Sequence, residues 1–192
     1  TTGYELDKDG KPGDLLEFKQ ELSWVNGKLT HGKTLSRTYA GKPFPEQDMK
    51  KADEEEDKKR RQAELREKDG EADPGKPMFT AFRPPLHTFK LLGEEQVAGR
   101  RAYKLEVTPR PEARENGRVG TAWIDAQTFV PLKGIYSPNP LPSSVDSMEL
   151  EEDFVPGPQG ESVPSLSRTK AKGGFWFMKK NVVLEQRYEG CK

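Results

Sequence analysis

The stretch LLGEEQVAGRRAYKLEVTPRPEARENGRVGTAWIDAQTFVP, Leu91 to Pro131, decides the fold. From Arg101 to Thr108 the apolar Tyr103, Leu105 and Val107 alternate with Lys104, Glu106 and Thr108. A period of two places one row on an apolar face and the other in water. Pro109 and Pro111 end this strand, because proline has no N–H for a ladder. Asn116-Gly117 offers a tight turn. A second strand is expected at Val119–Asp125, with Ala122 and Ile124 on one face and Trp123 on the other. Asp125–Thr128 reads as a turn and Phe129–Tyr136 as a third strand. The stretch is therefore expected to be an antiparallel meander with one greasy face.

Composition sets the outer limits. A length of 192 residues fits one domain, or one domain with an insertion, with an insertion expected near residues 46–69 and a Gly/Pro linker at 70–78. Charged residues make up 33% and hydrophobic residues 32%, so some segment must lie outside the core. The formal net charge of zero argues against a nucleic-acid binder that works by counterion release. No run approaches the roughly 20 apolar residues of a transmembrane helix. The opening TTGYELD is not a signal peptide. The one cysteine, Cys191, excludes an internal disulfide.

Upstream, Tyr4–Asp7 reads as a short strand. Leu16, Phe18, Leu22 and Trp24 then fall on alternate positions with Gln20 as the polar member of the row. Asn26-Gly27 signals a hairpin that returns through Lys28–Ala40. Gly27–Thr34 also satisfies the phosphate-loop pattern G-x-x-x-x-G-K-[ST]. That pattern needs a buried parallel strand before it and a helix after it. Here a one-sided strand precedes it and poor helix material follows, so the hairpin reading is taken.

Glu46–Asp69 holds ten acidic and eight basic residues, with Glu54–Lys58, Glu55–Lys59, Glu56–Arg60, Asp57–Arg61 and Glu64–Lys68 spaced i,i+4. Such pairs stabilise a helix by roughly 0.2–0.5 kcal/mol each. One long charged helix of about 36 Å is expected, with too little apolar surface for a buried stripe. It reads as a solvated helix between strands, with a partner-docking arm as the sharper reading. Asp69–Pro77 is a polar Gly/Pro linker, and Met78–Leu86 an extended apolar segment.

Downstream, Ser137–Ser144 is expected as a proline-rich loop and Val145–Val155 as a strand. Ser165–Lys172, Phe175–Lys179 and Val182–Tyr188 are the last strand candidates. Carboxylates Glu151, Glu152 and Asp153 cannot converge on a metal within one strand, and neither His31 nor His87 lies in a ligand-spaced cluster. No nucleophile–base pair is visible, so no catalytic residue, metal ligand or cofactor is expected and the chain reads as a non-enzyme.

The Gly93-Glu94-Glu95 lead, Val97-Ala98-Gly99-Arg100, Ala102–Pro109 and Trp123-Ile124-Asp125 before Pro131 together resemble the outer-membrane lipoprotein-sorting (LolA-like) superfamily, over about Tyr4 to Tyr188. The resemblance implies a mainly β (α+β) fold. It would be a single domain over 1–192, a strongly curved antiparallel half-barrel of nine to eleven strands with the charged helix inserted. It implies a periplasmic protein of a Gram-negative envelope that binds a lipid, an acylated lipoprotein or another hydrophobic ligand on the concave face. Phe18, Leu22, Trp24, Tyr103, Leu105 and Ile124 are the expected apolar lining. The alternative is an envelope-stress interaction module like the RseB-like relatives, with a protein partner docking on the 46–69 helix. Unlike that family, the given sequence is expected to open on a strand, and no amphipathic helix is read in it ahead of that strand.

Overall fold

A computed structural model describes residues 1–7, 9–25, 28–68, 87–111, 117–157, 162–175 and 178–189. Within these ranges the side chains of 24, 25, 28–31, 60, 63–68, 175, 178 and 179 lie outside the description. Among the described residues the protein is mainly β, with eleven strands and one helix. The chain forms two compact units, Thr1–Gly75 and Lys76–Lys192.

The first unit holds β1 (Thr2–Leu6), β2 (Pro12–Val25), β3 (Lys28–Tyr39), β4 (Lys42–Pro43) and α1 (Glu46–Lys68). Its strands lie in the order β4-β3-β2-β1, with the neighbours paired antiparallel. Ala40 and Gly41 both have positive φ, +50° and +75°, and turn β3 into β4. A two-residue turn with both φ positive matches the twist of the flanking strands. The hairpin reading of Gly27–Thr34 is correct from Lys28 on, because Thr34 lies inside a strand that continues to Tyr39. Asn26 and Gly27 themselves lie outside the described residues.

Helix α1 starts at Glu46 as expected, with Glu46 and Asp48 in its first turn, where carboxylates complement the helix dipole. It is a correction to the expected long arm: 23 residues make it one short element beside eleven strands. It is also not simply solvated. The Asp53 carboxylate accepts the Thr34 N–H at 3.1 Å and the Thr34 hydroxyl, which fastens the helix to β3. Gln20 on β2 donates to Thr34 and, at 3.4 Å, to Glu56. Polar contacts take the place of the apolar stripe that this helix lacks.

The second unit holds β5 (His87–Val97), β6 (Arg100–Pro109), β7 (Gly117–Asp125), β8 (Pro131–Asn139), β9 (Val145–Pro156), β10 (Ser162–Phe175) and β11 (Met178–Arg187). The order is β11-β10-β9-β8-β7-β6-β5, again antiparallel throughout. Several expectations are corrected here. His87–Val97, to which the pattern assigns no strand, is itself a strand. It turns into β6 through Ala98 (φ +49°) and Gly99 (φ +76°). The third strand of the meander starts at Pro131, not Phe129, because Phe129 has φ +59° and its N–H closes a turn onto the Asp125 carbonyl at 3.0 Å. β8 runs on through Ser137–Asn139, which had been assigned to the loop. The last three strand candidates are two strands. Gly173-Gly174 does not break β10 but lies inside it, where a Cβ on Gly173 would come within 2.9 Å of the Val145 Cα. Asn116, Asp69–Pro77 and Met78–Leu86 lie outside the described residues.

Residues directly opposite in an antiparallel ladder share a face. Gly120 sits opposite Val107 on one side and Tyr136 on the other, in the middle of a cluster of Val107, Ala122 and Tyr136 with Leu150 against it. A Cβ on Gly120 would lie 2.6 Å from the Tyr136 Cα and 2.8 Å from its Cβ. Gly120→Val must therefore push β7 away from β8. It is expected to destabilise the protein by ~1–3 kcal/mol, the usual cost of overpacking, as read by urea denaturation. An unchanged urea midpoint would mean that this approach of strands is absent.

Candidate functional site

Strand register sorts the second unit into two faces. Tyr103 pairs with Ile124, Leu105 with Ala122 and Val107 with Gly120. On the outer side Leu91 pairs with Leu105 and Phe89 with Val107. These residues make one continuous apolar face across β5, β6 and β7. Its inner members are buried, Val107 and Ala122 fully. Its outer members are open, with Phe89 42% and Leu91 58% exposed. Tyr103, Leu105 and Ile124 are half-buried between them. At the end of the face the exposed Phe129 ring stacks on Tyr103, with centroids 6.3 Å apart.

The six expected lining residues thus divide between the units. Tyr103, Leu105 and Ile124 come together on this face. Phe18 and Leu22 lie on alternate positions of β2 in the first unit, both half-buried. Trp24 is in the same strand, and its side chain lies outside the described residues.

The expectation of a single greasy face needs correcting. The opposite face carries a second cluster, Ala102, Trp123 and Leu132 with Val97 and Ile135. The Trp123 indole N–H donates to the Glu95 carboxylate, while the Lys104 ammonium lies 3.5 Å from Glu95 and 5.3 Å from the indole. A cation over an aromatic face is attracted by the ring quadrupole. Farther along, a ladder of ion pairs crosses four strands. Lys133 on β8 binds Glu151, and at 3.5 Å Asp153, on β9. Arg168 on β10 reaches Glu151 at 3.3 Å and Glu185 on β11 at 2.8 Å. Glu185 also holds Arg187 at 2.7 Å. Lys133 above all lowers the Glu151 pKa, and Arg168 and then Arg187 lower that of Glu185.

The acidic run Glu151–Asp153 divides between the two faces. Two of its carboxylates are neutralised by cations on this face, and Glu152 is buried on the other, opposite Gly134. Among the described residues no group of three or more histidine, cysteine, aspartate or glutamate side chains is arranged to hold a metal. Among them, too, no helix is long and apolar enough to cross a membrane.

Sequence reading passed over the role of Asp125, which is only 2% exposed. Its Oδ1 accepts the N–H groups of Gln127 (2.9 Å) and Thr128 (2.8 Å) and the Thr128 hydroxyl (3.0 Å). Its Oδ2 pairs with Arg100 at 2.8 Å. An aspartate that caps the backbone two residues on was the available signal, since Asp125–Thr128 had already been read as a turn. The W-I-D and V-A-G-R segments thus each close a turn, one β7–β8 and the other β5–β6, and Arg100–Asp125 ties them. Comparison with protein-family models, curated proteins and solved structures finds no match for this chain.

The Thr128 N–H first, then the Gln127 N–H, the Thr128 hydroxyl and Arg100, hold the Asp125 carboxyl below its usual range. Asp125, Glu151 and Glu185 therefore share one sign. Their contribution to stability is complete above the unfolded values of about 4 and is lost as pH falls through the lowered folded values. Urea midpoints measured downward from pH 5 are expected to fall in the wild type and to fall less steeply in Asp125→Asn. Parallel slopes would contradict a charged Asp125 in the fold.

Proposed function

We propose that this chain is a non-enzymatic binding protein of the cell envelope. In this reading it holds a lipid, an acylated lipoprotein or another hydrophobic ligand against the apolar face of β5–β7. The observation that supports it is the open row Phe89 and Leu91 beside half-buried Tyr103, Leu105 and Ile124. An open apolar row on a sheet gains roughly 25 cal/mol for each Å² that a ligand covers. The reading includes a sheet curved into a half-barrel like that of the LolA-like proteins, with this face concave. A periplasmic location in a Gram-negative bacterium belongs to the same proposal.

A second reading rests on α1. Its Glu54, Glu55, Lys58 and Lys59 side chains are exposed, while Asp53 and Glu56 fasten the helix to the hairpin. Such a charged, anchored surface would suit a protein partner, as in an RseB-like envelope-stress module.

The first reading is tested by solvent extraction and mass spectrometry of full-length protein from its native envelope. A lipid or lipopeptide near one per chain is expected, and Leu91→Glu, which alters an exposed position, should lose it while staying folded. A blank extract, or equal loading of Leu91→Glu, would overturn the carrier reading. Loss of a bound protein on deleting residues 46–68 would support the partner reading.

A further inference from the structure

The first residue of β5 does something its neighbours do not. His87 is buried, with 8% of its surface exposed, and its side chain reaches past the end of β6 to β7. There Nε2 accepts the backbone N–H of Arg118 at 3.2 Å. The β6–β7 ladder extends only to Val107–Gly120, and Pro109 closes β6. The imidazole takes the acceptor's part just beyond the last ladder pair. A backbone N–H left without an acceptor in a buried place costs about as much as a lost hydrogen bond.

An imidazole that accepts at Nε2 is neutral and carries its proton on Nδ1. That Nδ1 is buried without a hydrogen-bond partner. A second proton would put an N–H on Nε2 facing the Arg118 N–H, donor against donor. It would also add a positive charge beside the Arg118 guanidinium, which lies 4.9 Å over the Tyr136 ring. The charged neighbour that acts on the imidazole is Arg118. On β6 the partner opposite His87 is Pro109, flanked by Thr108 and the exposed Arg110. On β5 the next residue on the same face is Phe89, and on β7 the facing charge is Arg118 itself. Desolvation first, and Arg118 second, place the His87 pKa below its ordinary value.

We propose that His87 is an acid-sensitive latch: its neutral imidazole holds the start of β5 on β7, and its protonation releases that corner. The sign follows from the lowered folded value. The latch is fully closed above the ordinary histidine pKa of about 6.5 and loosens as pH falls below it. Release would loosen the end of the apolar face beside Val107, which pairs with Phe89 two residues further along. The window lies above that of Asp125, Glu151 and Glu185, so the two acid effects are separable.

The test is hydrogen exchange at the Arg118 amide in the full chain, corrected for the intrinsic pH dependence of exchange. Protection is expected to fall by up to about tenfold per pH unit below ~6.5, the slope for one proton taken up on opening. His87→Gln presents an amide oxygen that accepts but does not titrate, so its protection should be flat over the same range. Flat protection in the wild type, or an equal fall in His87→Gln, overturns the latch. Should His87→Gln not fold, imidazole nitrogen shifts of the wild type decide, with His31→Gln to assign the two histidines. A neutral Nδ1–H tautomer titrating below 6.5 supports the latch. An Nε2–H tautomer, or titration at 6.5 or above, overturns it.

Discussion

The Asp125 carboxylate is the point at which the β5–β6 and β7–β8 turns of the seven-stranded unit are tied together. One oxygen caps the turn that leads from β7 into β8, and the other holds Arg100 at the start of β6. The backbone repeats the tie, since Asp125 N–H donates to Val130 and Ala126 N–H to Arg101, both at 2.9 Å. A one-residue slip in such a meander would turn every side chain to the other face. Fixing β6, β7 and β8 at one corner sets the register that puts Leu105 opposite Ala122 and Gly120 opposite Tyr136. The apolar face follows from that register.

Much of this was legible in the sequence. The alternation at Tyr103, Leu105 and Val107 placed three side chains on the right face, because a strand's period of two leaves no other arrangement. The acidic-then-basic spacing located α1 to within a residue at its start. Other features were hidden for physical reasons. His87–Val97 does not alternate cleanly: Leu91 and Leu92 are adjacent, and the register shifts between Leu91 and Gly93. A bulge inserts a residue and breaks the pattern that reading depends on. Phe129 looked like a strand residue because bulky aromatics favour strands, yet the Asp125 turn holds it at positive φ. The docking of α1 escaped notice because it uses Asp53, Glu56, Gln20 and Thr34, whose meeting no periodicity announces.

The candidate site was legible only in part. Tyr103, Leu105 and Ile124 share a face, as their spacing implies. The outer row that leaves the face open, Phe89 and Leu91, belongs to the strand that was not recognised. The opposite face shows why a count of apolar residues misleads. Trp123 is nearly buried there, yet its surroundings are Glu95, Lys104 and a ladder of ion pairs. Partly buried charges here satisfy one another across neighbouring strands. The two faces therefore have different chemistry, and among the described residues the Leu105 face combines a row of apolar pairs with exposure at Phe89 and Leu91.

The structural Asp125 node that ties the W-I-D and V-A-G-R segments is what the register of the unit depends on. Native-state hydrogen exchange at the Gln127 and Thr128 amides tests it most directly. If both N–H groups are held by the buried carboxylate, they should exchange as slowly as the β6–β7 ladder amides, although they sit in a turn. Exchange at the rate of an open surface turn would contradict the node, and with it the register on which the apolar face depends.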